Sequence, residues 1–171
     1  GGAVGGGRWG SALWRLWSLR GHLREGGVWL ARTLALPRWS DHPREGAMAL
    51  EAAGGLAYWH GRLPAAEVHY TQALELQRAL AEPAAIATAL YNLAFVYFLP
   101  KTDLPRARLI LEESLSIFEA IADRSGMGKV YWALSSVMYA ENDEVDLDNL
   151  GRAAQFNEMS QTIFRQSNER F

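Results

Sequence analysis

Apolar positions along the chain recur at the three-to-four spacing of one helical face, and they do so in blocks of similar layout. Three blocks superimpose when Gly21-His22-Leu23, Gly61-Arg62-Leu63 and Thr102-Asp103-Leu104 are aligned, giving a repeat of about forty residues. Three positions past each leucine stands a small residue, Gly26, Ala66 or Ala107. Four further on comes a large one, Leu30, Tyr70 or Leu111. A second small residue follows at Thr33, Ala73 and Ser114, each directly before a leucine. A fourth block aligns Leu150 with Leu104, Ala153 with Ala107, and the run from Ser160 to Phe164 with that from Ser114 to Phe118.

Small residues at this spacing let two helices, and then the next pair, approach closely, while leucines and aromatics fill the space that remains. Helices are therefore expected before each turn at 9–20, 46–60, 83–99 and 126–141, and after each turn at 24–36, 64–80, 104–122 and 147–166. Pro64 and Pro105 sit near helix starts, where a missing N–H costs nothing, and Asp103 is placed to cap the second of these. Pro37 and Pro43 are expected to bracket a non-helical link. No segment alternates convincingly as a strand, so the fold class is all-α.

The second block, Ala53-Gly54-Gly55-Leu56-Ala57-Tyr58 through Gly61-Arg62-Leu63-Pro64-Ala65-Ala66, resembles the tetratricopeptide (TPR) consensus. Gly54 falls on its first-helix glycine, Gly61 on its turn glycine, and Ala66 and Ala73 on its second-helix alanines. Leu93-Ala94, Tyr97, Ala107 and Ser114 match similarly in the third block, with one extra residue near Pro100. The resemblance implies a right-handed superhelical stack of about four helix-turn-helix repeats, at roughly 8–37, 44–82, 83–123 and 126–167. These would form a single domain over 1–171, behind a Gly-rich flexible end at 1–7. A finer likeness is carried by Ala12-Leu13-Trp14-Arg15-Leu16-Trp17, by Arg20 to Gly26, and by Leu111-Glu112-Glu113-Ser114-Leu115. These phrases resemble the helical-repeat regions of bacterial LuxR-type and AfsR-type signalling ATPase regulators, whose repeat arms bind an inducer or partner protein.

In repeats of the TPR type the first helix of each pair lines a concave groove. That register places Glu51, Tyr58 and Trp59 in the groove from the second block, beside Met48 and Gly55. It adds Tyr91, Asn92, Phe95 and Phe98 from the third, beside Thr88 and Leu99, and Lys129, Trp132 and Tyr139 from the fourth, beside Ser136. Aromatics with a polar handle, next to an amide and a few charges, suit an extended peptide or a partner helix. The same aromatics at helical spacing also serve to pack repeat on repeat, and both readings stand at this point.

Composition narrows the function classes. With 171 residues, 49% hydrophobic and 21% charged, the chain can bury a sizeable core. A net charge of −2 argues against a direct grip on nucleic acid, which calls for a basic excess. The absence of cysteine removes disulfides, thiolate catalysis and zinc ribbons, and is compatible with a cytoplasmic address. Arg15, Arg20, Arg24 and Arg32 interrupt the most apolar stretch, so no membrane-spanning helix is expected. The start Gly1-Gly2-Ala3-Val4-Gly5, without methionine, leads us to expect a segment of a longer chain.

Chemical motifs are incomplete. Gly5 and Gly10 stand at phosphate-loop spacing before Ser11, but the lysine is missing and no strand precedes them. Asp143, Glu144, Asp146 and Asp148 suggest calcium, yet Leu150 and Asn157 stand where the loop needs other oxygen ligands, so an acidic turn favouring the next helix N-terminus is expected. His22, His42, His60 and His69 form no H-E-x-x-H pair, and no serine sits in a G-x-S-x-G elbow. The expectation is a non-enzymatic scaffold or regulatory arm without catalytic residues, metal or cofactor, binding a protein, a peptide or neighbouring domains of its parent chain. A small-ligand (inducer) sensor is the alternative. Trp9, Trp14 and Trp17 would pack on an upstream module or leave an apolar patch, so a homodimer through exposed repeat ends is also expected.

Overall fold

The structure, a computed structural model, describes residues 41–141 and 146–167. The expected first repeat at 8–37, the glycine-rich start, Pro37, the tryptophans at 9, 14 and 17, His22, Asp143 and Glu144 lie outside these residues. The described residues form six α-helices and no strand: α1 Pro43–Trp59, α2 Leu63–Ala79, α3 Pro83–Phe98, α4 Leu104–Ala120, α5 Arg124–Ala140 and α6 Leu147–Ser167. They divide between Glu82 and Pro83 into two compact units. The fold is all-helical, with consecutive helices packed on one another within each unit.

Pro43 opens α1 instead of lying in the link before it, because the first helical position has no use for an N–H. Every turn from α1 to α5 then ends its helix in the same way. At the first, Arg62 N–H reaches Ala57 C=O and Gly61 N–H reaches Tyr58 C=O, both at 2.9 Å. The same pair of bonds recurs after α2, α3 and α4, with Ala81, Lys101 and Ala122 in the place of Gly61. All four residues have positive φ, between 53° and 71°, and only Gly61 adopts that conformation without a side-chain penalty. Asp103 and Asp123 each accept a backbone N–H three residues on, at 3.0 Å, and so cap α4 and α5. Asp146 accepts the amides of Asp148 and Asn149 at the start of α6.

In the first unit α1 packs on α2, and Ala47, Ala53, Ala57, Ala66, Tyr70, Ala73 and Leu74 are buried. Gly54 is required here, since a Cβ at that position would fall 2.7 Å from the Tyr70 ring. In the second unit the core is Leu90, Leu93, Leu111, Val130, Leu134 and Val137, each worth roughly 2 kcal/mol of burial. The second helices are pinned to the first by hydroxyls: Ser114 donates to Ala87 C=O and Ser160 to Gly128 C=O, both at 2.8 Å and buried. A Cβ at Gly126, on α5, would meet the Phe118 ring of α4 at 2.4 Å. Arg108, near the start of α4, pairs with Glu141 at the end of α5 at 3.2 Å. Together these contacts run α4 and α5 antiparallel.

Candidate functional site

The aromatic residues that the register assigns to first helices come together in the second unit. Phe95 on α3 stacks on Trp132 of α5, with ring centres 6.3 Å apart and planes 16° from parallel. Its other sides meet Tyr91 at 5.0 Å and Phe98 at 5.9 Å, edge to face. The three α3 rings follow one another at four and three residues, so a single face of the helix presents them. The opposite face of α3, with Ala89, Leu93 and Val96, is buried.

Trp132 remains 39% exposed and Tyr139, two turns along the same face of α5, 47%. Tyr91, Phe95 and Phe98 are half-buried. Burial pushes the Tyr91 phenol up to about 12, so it stays protonated and able to donate near neutral pH. The hydroxyls of Thr88 and Ser136 already donate to carbonyls four residues back, at 2.8 and 2.9 Å. Asn92 and Lys129, by contrast, have no hydrogen-bond or ion-pair partner among the described residues, and Lys129 is exposed one turn before Trp132. The surface thus carries a continuous patch of rings, one free amide and one free cation.

The residues expected from the second block belong to the first unit and do different work. Tyr58 and Trp59 meet edge to face at 5.7 Å, and Trp59 is 62% exposed. Glu51 is turned into its own hairpin, where it accepts a 3.0 Å hydrogen bond from Gln77 Nε2. Burial raises the Glu51 carboxyl above the usual range, opposed by that hydrogen bond. The buried Tyr70 phenol is raised as well, by desolvation first and then by the nearby Glu51 and Tyr58. The Tyr58 hydroxyl and Gln77 Oε1 are buried without a partner among the described residues.

Sequence reading did not single out Arg124, Met127, Tyr131, Met159 or Ile163, which line a second groove on the outer face of α5 and α6. Its signal was present, as apolar residues at four-residue spacing on both helices, but the same spacing describes core. Among the described residues no three His, Asp or Glu side chains gather as metal ligands, and no helix is long and apolar enough to cross a membrane.

No protein-family model matches the chain, and no curated protein matches it.

Proposed function

We propose that the chain is a TPR-type repeat domain, a right-handed stack of about four helical hairpins, and that it binds a peptide or partner segment on the first-helix face of α3 and α5. The observation that carries this reading is the ring patch of Tyr91, Phe95, Phe98 and Trp132, partly open to solvent and flanked by the unpartnered Asn92 and Lys129. Exposed aromatics in contact across two helices offer large apolar area at low entropy cost. An amide beside them suits the backbone of an extended segment, and a lysine suits an acidic side chain or carboxylate. In this reading the domain is a binding arm of a larger regulator, in keeping with its likeness to the repeat regions of bacterial signalling ATPases.

A phage-displayed peptide library panned on the immobilised protein tests the reading. It should enrich a class with apolar or aromatic anchors and an acidic residue. Affinity of the enriched peptides should fall at least roughly tenfold on Trp132→Ala, whose indole is surface-accessible enough to be removed without unfolding the chain. Failure to enrich any class, or peptides indifferent to both Trp132→Ala and Lys129→Ala, would sink it.

A further inference from the structure

The outer face of the last hairpin carries a groove of about 490 Å³ between α5 and α6. Met127 and Tyr131 from α5 and Met159 and Ile163 from α6 form its apolar floor, and Arg124 and Glu158 stand on its rim. Met159 is 46% exposed. On the preceding hairpin the positions that match Glu158, Met159 and Thr162 of α6 are Glu112, Glu113 and Ser116 of α4, all polar and exposed. Met159 therefore gives the last hairpin an apolar surface that α4 lacks at the matching position.

Its charges identify an occupant. Arg124 is hydrogen-bonded to Gln166 and so marks one end of the groove along α6. Glu158 lies about 12 Å back along the same helix, and Thr162, also in the lining, falls midway between them. A twofold axis through Thr162 exchanges the two ends. It sets Arg124 of one copy over Glu158 of the other, twice, and lays the apolar floors face to face. A surface with one cation and one anion equally far from its centre is complementary to itself, which is the requirement of an isologous dimer. The net charge of −2 per chain adds little long-range repulsion between copies.

We infer that this groove is the self-association surface of the protein, occupied by the same face of a second copy, with reciprocal Arg124–Glu158 pairs fixing the register. Sedimentation velocity on the full chain over a concentration series tests it. The wild-type chain should show a concentration-dependent dimer. Arg124→Glu and Glu158→Arg should each weaken it roughly tenfold or more, since every dimer contains the pair twice. The double reversal R124E/E158R should restore dimerisation to within about threefold of wild type, because opposite charges face each other again. Both side chains are exposed, and an acidic residue at the first position of α5 suits the helix N-terminus, so the variants should keep the wild-type circular dichroism. A chain monomeric at every concentration overturns the inference, including one whose groove instead takes a helix from another protein. So does a dimer that neither single reversal weakens, or one that the double reversal fails to restore.

Discussion

The hairpins α1/α2 and α3/α4 share one residue layout yet fill their cores differently. Tyr70 and Leu111 stand seven residues past the aligned leucines Leu63 and Leu104. Counted back from the carbonyls that close each first helix, those of Ala57 and Tyr97, the matching first-helix positions hold Gly54 and Ala94. The larger second-helix residue is thus paired with the smaller first-helix one. Admitting a tyrosine also admits a hydroxyl, and around it the first unit collects Glu51, Tyr58 and Gln77, with two polar atoms that have no partner among the described residues. Behind α3 and α4 the core is mostly aliphatic, with Tyr97 and Phe118 beside it, and the buried Ser114 hydroxyl has a carbonyl to meet. The repeat therefore constrains combined volume at a position, while the polarity of that volume is free to vary.

The largest effect should come from breaking this volume match. Gly54→Ala places a methyl 2.7 Å from the Tyr70 ring and should cost roughly 2–3 kcal/mol, less the small gain in helix propensity, measured by urea unfolding. Gly54→Ala combined with Tyr70→Leu reproduces the α3/α4 pairing and should recover much of that loss. Additive losses in the double variant would show that the two positions do not trade volume.

A smaller effect separates the units through their second-helix anchors. Ser114 and Ser160 hold buried hydrogen bonds to first-helix carbonyls, whereas the first unit has Ala73 at the matching position. Ser114→Ala and Ser160→Ala should each cost about 1 kcal/mol, because a bond is lost while the carbonyl keeps its helical partner. Loss of several kcal/mol would mean that the hydroxyls do more than pin the helices.

The turns distinguish the units more finely. Gly61, in the first unit, takes its left-handed conformation freely, while Lys101 and Ala122, in the second, carry a Cβ there. Ala122→Gly should stabilise by about 0.5–1 kcal/mol, and Gly61→Ala should destabilise by a similar amount, in thermal or urea unfolding.

These turns also show how far the sequence could be read. For the six described helices, order and type followed from the spacing, and the expected boundaries differ from the observed ones by at most three residues. The differences have local causes. Pro43 starts α1 early, Asp123 caps α5 at Arg124, and α4 stops before Ala122, whose left-handed turn no glycine announces. For the site, α3 was legible because Tyr91, Phe95 and Phe98 lie on one helix at helical spacing. The stacking of Phe95 on Trp132 was not, since it depends on how two helices lie side by side. Glu51 entered as a groove residue by register alone, and its bond to Gln77 depends on a partner one helix away.

The last difference between the units is one of sign with pH. Burial raises the Glu51 carboxyl above its usual 4.5, so the folded chain holds this proton more tightly than the unfolded chain does. A raised acid contributes stability that is fully present below the unfolded value and is lost as pH rises through the folded one. Above the raised value the ionised, buried Glu51 therefore works against the fold, and there Glu51→Gln, which keeps the size and can still accept from Gln77, should be at least as stable as wild type. As pH falls through the raised value toward 4.5, wild type should gain relative to the variant, and the gap between their melting temperatures should close or invert. A gap that instead widens in favour of the variant on acidification would mean that the hydrogen bond from Gln77 outweighs desolvation, and that the polar core of the first unit is built to hold a carboxylate.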